Sequence, residues 1–224
     1  MKIINQIFAL LAFLAISFYP HSAVFAQTPS ANTIFDDHML LEGYTEKYKD
    51  FSKETLLAMI KDDTLTPYRS AAAVRVFQKK YSSEVVSNEK NGIIKILLRR
   101  LHRADSPFVQ VEIMYTLCQM DRYHYFKSMA PALTQKLDHY NTAVNENAFN
   151  SLNKLIESGG NRHREARIIF NTLRKILFLS RKRLAVIKEP DIQLSRKLKL
   201  LRWSIKVLGN QELKKLPKEV INLL

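Results

Sequence analysis

The 224-residue sequence contains a single cysteine, Cys118, so no intrachain disulfide is available and the fold must rest on packing alone. Glycine and proline are also scarce, at 5 and 7 residues. That is too little punctuation for the many short strands of an all-β sandwich or barrel. Beyond the N-terminal segment no stretch has 18 uninterrupted apolar residues, which leaves the later chain without a candidate membrane-spanning helix. The nucleophile elbow, the glycine-rich phosphate loop and any Cys/His nucleophile arrangement are missing. Of the six histidines, His21 falls in the N-terminal segment, and none of the others sits at the close helical spacing of a metal site. No catalytic residue, metal or small-molecule cofactor is therefore expected. The last scarcity is of acid in the final third, where residues 161–224 carry 17 Lys or Arg against 5 Asp or Glu.

Leu, Lys, Ala, Glu and Arg crowd the long segments, so an all-α fold is the expectation. The formal net charge of +14 is unevenly spread: −3 over residues 27–60, +5 over 61–105, −1 over 106–160 and +12 over 161–224. Such a field attracts anionic partners or simply keeps a chain in solution. Residues 1–26 read as a secretory signal peptide, with Lys2 as the positive start, an apolar run from Ile3 to Phe18, and Val24-Phe25-Ala26 as the cleavage signal. Cleavage between Ala26 and Gln27 would give an exported protein, periplasmic or extracellular and soluble. Residues 27–51 then form an acidic linker or capping segment, and 52–224 a helical domain. Cys118 lies in an apolar helical run from Ile113 to Leu117, where a buried, inert thiol is expected.

The helical domain carries an internal repeat, legible from its helix starts. Thr66, Ser106, Asn141 and Asp191 are cap-type residues separated by 40, 35 and 50 positions, and Pro67 and Pro107 follow two of them. Seven residues after each cap comes Ala73, Ile113, Ala148 or Leu198. Ten after comes Val76, Thr116, Ser151 or Leu201. Eleven after comes Phe77, Leu117, Leu152 or, out of pattern, Arg202. These offsets fall on one helix face, which must be covered. Between the caps lie further helical stretches: one capped by Asn88, one through Met129, Leu133 and Leu137, one over about Arg162 to Ile187, and a terminal one over Glu212 to Leu224. Gly159-Gly160 and Gly209-Asn210 supply helix stops.

These units resemble HEAT repeats, whose first helix tends to open Asp-Pro-x-Val-Arg. Ser106-Pro107-Phe108-Val109-Gln110 is the nearest match, followed by Asn141-Thr142-Ala143-Val144-Asn145. Thr66-Pro67-Tyr68-Arg69-Ser70 keeps the proline, and Asp191-Ile192-Gln193-Leu194-Ser195 keeps the acid with its proline displaced to Pro190. The motif's arginine is absent from all four units, so the polar ladder it makes in the family lacks its usual donor. The resemblance covers residues 52–224 and implies an α-solenoid of about four antiparallel helical hairpins, with the second helices lining a concave face. Repeat folds of this kind present extended surfaces to other macromolecules.

On those second helices the basic residues are regularly spaced. Arg167, Arg174, Arg181 and Lys188 recur every seventh residue, and Lys95, Arg99 and Arg103 make a shorter stripe. If both border one face they form a positive groove suited to carboxylate or phosphate. Asp62-Asp63 reads as a solvated turn, Asp121/His124 as a surface pair, and Tyr123, Tyr125 and Phe126 as a satellite core at a unit junction. The expected function is non-catalytic: an exported scaffold that binds another protein. The alternative is a basic-groove binder of an anionic polymer or membrane surface, whether nucleic acid, lipid or glycan. An enzymatic reading, by resemblance to DNA alkyl-base glycosylases of similar size and charge, finds no catalytic carboxylate that can be placed here.

Overall fold

The computed structural model describes residues 38–120, 126–157 and 162–224. The expected signal peptide with Ala26 and Gln27, the Asp121/His124 pair, Tyr123, Tyr125 and the Gly159-Gly160 stop lie outside them. Among the described residues every regular element is helical. In order they are α1 (His38–Tyr48), α2 (Lys53–Lys61), α3 (Pro67–Tyr81), α4 (Ser87–Arg103), α5 (Pro107–Met120) and α6 (Phe126–Gln135). A 3-10 turn (Lys136–Asp138) leads to α7 (Thr142–Glu157), α8 (Arg162–Leu184) and α9 (Ile192–Leu208). A second 3-10 turn (Asn210–Lys215) and the short α10 (Lys218–Ile221) follow.

The helix starts show which caps act through side chains. Asn141 Oδ1 accepts from the amides of Ala143 and Val144 at 3.0 and 3.3 Å, and Asp191 Oδ1 from that of Leu194 at 2.6 Å. Ser52, which the sequence pattern did not single out, caps α2 by accepting from Thr55 N at 3.2 Å. Thr66 makes no side-chain cap bond, and Ser106 Oγ is buried without a partner. There Pro67 and Pro107 preset the first helical φ instead. Asn141→Ala and Asp191→Ala are each expected to lower unfolding free energy by about 1 kcal/mol, against a few tenths for Thr66→Ala. Urea denaturation of the three variants checks the contrast.

Four boundaries differ from the sequence expectation. Asn88 is not a cap, because α4 begins at Ser87 after Val86. α8 stops at Leu184, where the bonds tighten to Val186 N→Arg183 O and Ile187 N→Leu184 O. The stretch through Leu137 is α6 followed by a separate 3-10 turn. The expected terminal helix is split at Leu216-Pro217, since proline has no amide to continue the ladder. Gly209 ends α9 at φ +102°, a backbone region that glycine enters without steric penalty.

The repeated register is buried as the spacing requires. Ala73, Ile113, Ala148 and Leu198 are all covered, as are Val76, Thr116, Ser151 and Leu201, and so are Phe77, Leu117 and Leu152. Arg202 is exposed and donates to the carbonyls of Leu223 and Leu224. The packing runs in two series. α1 touches α3, α3 touches α5 and α5 touches α7; in parallel α2 touches α4, α4 touches α6 and α6 touches α8. Cross-contacts α2 to α3, α4 to α5, α6 to α7 and α8 to α9 join the series. α1, which falls largely within the segment read as linker or cap, packs on α3 with Leu41 and Tyr48 buried.

Polar ties reinforce each step. Four residues after three of the caps stand buried Ser70, Gln110 and Asn145. Gln110 Nε2 donates to Ala104 O at 2.7 Å, Asn145 Nδ2 donates to Leu137 O, and Ser70 Oγ accepts from Arg100 Nη2 at 3.2 Å. Each bond fastens the start of a first helix to a neighbouring element, satisfying a polar group that would otherwise be buried at a cost. Arg75 on α3 reaches Glu112 on α5, and Arg196 on α9 reaches Asn145 and Glu146 on α7.

Candidate functional site

The series α2, α4, α6, α8 carries the sequence-predicted basic stripes. On α4 the apolar positions Ile93, Ile94, Leu97 and Leu101 turn inward, which leaves Lys95 and Arg99 exposed on the opposite side. Between α2 and α4 opens a cleft of about 180 Å³ with Ile60 and Ile96 among its apolar lining and Lys61, Asp63, Arg99, Arg100 and Arg103 as its polar residues. Arg100 is buried, with Nη1 on Asp63 Oδ1 and Nη2 on Ser70. Arg103 Nη1 donates to the other carboxylate oxygen at 3.2 Å. Desolvation pushes the Asp63 carboxyl up, but the hydrogen bonds and charges of Arg100 and Arg103 outweigh it and hold the group below the usual carboxylate range. Asp63 thus stays anionic and pins two guanidinium groups. Lys61 and Arg99 have no hydrogen-bond or ion-pair partner among the described residues, so the cleft carries surplus positive charge, and Lys95, also without a partner, is exposed on α4 outside its lining.

The pair Asp62-Asp63 is therefore more than a solvated turn. Asp62 Oδ1 accepts from the Thr64 amide at 2.8 Å and shapes the loop; Asp63 serves the cleft. The sequence signal that could have found this is the separation of 37 residues between Asp63 and Arg100, close to the spacing of the caps.

The longer stripe on α8 divides into different roles. Arg167 Nη1 donates to Glu212 Oε1 at 2.7 Å, a buried carboxylate that also accepts from Lys215 Nζ at 2.9 and 3.0 Å. Arg174 is half-buried and has no partner among the described residues. Arg181 donates to Phe178 O at 3.0 Å and lies 4.2 Å over the Phe178 ring. Lys188 is exposed but stands beyond the helix end, so the seven-residue spacing no longer places it in line with the others. Between α4 and α8 in the series sits α6, so the two stripes occupy non-neighbouring helices.

The Glu212 carboxyl is held below its ordinary value of 4.5, first by the hydrogen bond from Lys215 and then by that from Arg167, against desolvation. A depressed folded value means that the stability is present above pH 4.5 and is lost as pH falls through the folded value. Glu212→Gln is expected to flatten the acid side of the stability curve, read as urea midpoints between about pH 6 and pH 3.

Cys118 is buried. His139 Nδ1 accepts from the Asn141 amide at 3.1 Å; burial, then the charge of Lys136, lowers its affinity for a proton. Among the described residues no group of three His, Cys, Asp or Glu could hold a metal ion, and no helix is long and apolar enough to cross a membrane. Phe126 is buried at the start of α6.

Compared with protein families, curated proteins and solved structures, the chain matches none of them. The surface itself carries the functional reading.

Proposed function

We propose that this chain is a non-catalytic, exported binding protein, an α-solenoid resembling HEAT repeats that offers its second-helix row to another protein. The observation that carries the reading is the serial contact of α1, α3, α5 and α7 in one row and of α2, α4, α6 and α8 in the other, together with the common buried register after the caps. Units stacked in this way touch mainly their neighbours, and their open faces are extended surfaces rather than pockets. The cleft between α2 and α4 adds the chemistry: two uncommitted cations, Lys61 and Arg99, beside an apolar floor, with Lys95 exposed on the same helix as Arg99, favour a partner segment bearing carboxylates next to aliphatic side chains.

Two measurements test it. N-terminal sequencing of the protein taken from its cells is expected to begin at Gln27; a cytosolic form retaining Met1 overturns the destination. Cross-linking in envelope extract is expected to yield a defined protein partner whose capture weakens as salt rises from about 50 to about 500 mM. The Lys95→Glu/Arg99→Glu variant is expected to lose that capture by on the order of tenfold or more. Capture indifferent to salt and to both substitutions overturns the assignment of the cleft.

A further inference from the structure

The side of α8 that faces away from the core carries a second feature, independent of the cleft. Lys175, Phe178, Leu179, Lys182 and Arg183 follow one another at offsets of 3, 4, 7 and 8 residues, the spacing of a single helix face, and Val186 stands in the turn just past the helix end. All six are exposed, while Ala166, Ile169, Phe170, Leu173, Leu177 and Leu184 bury the other side of the helix. The exposure of the apolar members is large: Phe178 50 %, Leu179 83 % and Val186 80 %, with Ile192 at 65 % across the turn into α9. Isolated exposed apolar residues need no explanation, but a run of them on one face does. The charged members are Lys175, Lys182 and Arg183, with Lys188 exposed beyond the helix end, and none has a partner among the described residues. Of the nearby acids Asp191 is engaged as the α9 cap, leaving Glu189.

We infer that this strip docks the protein on the surface of an anionic lipid bilayer. Interleaved cations and large apolar side chains on one helix face and the turn that follows it suit a headgroup layer. The Phe, Leu, Val and Ile side chains enter the acyl boundary while the Lys and Arg stems extend back to the phosphates. A nucleic-acid backbone would satisfy the charges but give no return for burying Leu179 and Val186. A second copy meeting the same face across a two-fold axis would bring cations against cations. The strip therefore favours the bilayer.

The test uses the whole protein and vesicles of two compositions, phosphatidylcholine alone and phosphatidylcholine with about one third phosphatidylglycerol. Sedimentation is expected to show binding to the anionic vesicles that weakens with salt and is much weaker on the neutral ones. Lys182→Glu/Arg183→Glu is expected to reduce that partition more than about 25-fold, since removing each cation alone is worth about fivefold. Leu179→Ser/Val186→Ser, which leaves the charge unchanged, is expected to reduce it by on the order of tenfold or more, and this variant separates insertion from charge attraction. All four substitutions are at exposed positions, so helicity by circular dichroism is expected to be unchanged. Lys95→Glu/Arg99→Glu is expected to retain vesicle binding, which keeps this inference separable from the cleft. Failure to bind anionic vesicles at low salt overturns the inference, as does binding that survives both strip variants or is abolished by the cleft variant. Binding to a mixed-sequence oligonucleotide with the same dependence on Lys182 and Arg183 but none on Leu179 and Val186, and no vesicle binding, overturns it in favour of nucleic acid. Self-association lost in Leu179→Ser/Val186→Ser, again without vesicle binding, overturns it in favour of a dimer.

Discussion

Arg75→Met is expected to lower the unfolding free energy by about 3–5 kcal/mol, as breaking a buried ion pair typically does. Arg75 Nη2 and Nε donate to Glu112 Oε1 at 2.5 and 3.1 Å, joining α3 to α5 at a place where Glu112 is buried. Burial pushes the Glu112 carboxyl above its ordinary value, and the hydrogen bond and charge of Arg75 oppose that rise without cancelling it. Without Arg75 the group is an unpaired carboxylate in an apolar junction at neutral pH. A raised folded value means that the folded protein holds the proton more tightly, so lowering the pH toward the ordinary Glu value relieves the penalty. The deficit of Arg75→Met is accordingly expected to shrink in mild acid. Arg75→Met/Glu112→Leu, which removes both charges while keeping side-chain volume, is expected to recover most of the loss. Denaturant unfolding of the three variants at two pH values checks each point, and a single-variant loss under about 1 kcal/mol would show the pair to be dispensable.

Phe77→Ala is expected to cost about 3–5 kcal/mol, the usual range for deleting a fully buried aromatic side chain. Phe77 sits eleven residues after Thr66 on α3, is fully covered, and stacks obliquely on Tyr81 at 6.2 Å. Because α3 touches α1, α2 and α5, the cavity opens at the heart of the first units. Hydrogen exchange separates two views of the architecture. Stacked units are expected to lose amide protection first in α1–α4, with α8 and α9 retaining theirs. Uniform loss along the chain would instead mark one cooperative bundle and count against the solenoid reading.

The helices and their buried register were legible in the sequence because both depend on local chemistry. Asn141 and Asp191 announce helix starts through the amides they accept from, and the period of 3.6 then fixes which side chains need cover. The cation positions Lys95 and Arg99 were legible for the same reason. Less of the site could be read, because it depends on which element lies opposite. Nothing local tells that Asp63 would hold Arg100 and Arg103, or that Glu212 would take Arg167 out of the stripe. The exposed strip on α8 was missed because Leu179 and Val186 look like core residues until the core is seen to lie on the other side. Yet a trace of the pairing was present. Lys53–Glu89, Arg75–Glu112 and Arg100–Asp63 are separated by 36, 37 and 37 residues, near the period of the caps.

That constant separation has a mechanical consequence. Each of these three ties joins an element to the one a single step along, and because their spans, 53–89, 63–100 and 75–112, overlap, a pull on the ends loads them together. A protein fastened in this way holds until the group fails, and release of all three frees residues 53–112, on the order of 200 Å of chain when extended. Tension would then remove that stretch of the available face in one length, leaving the untouched remainder in working order.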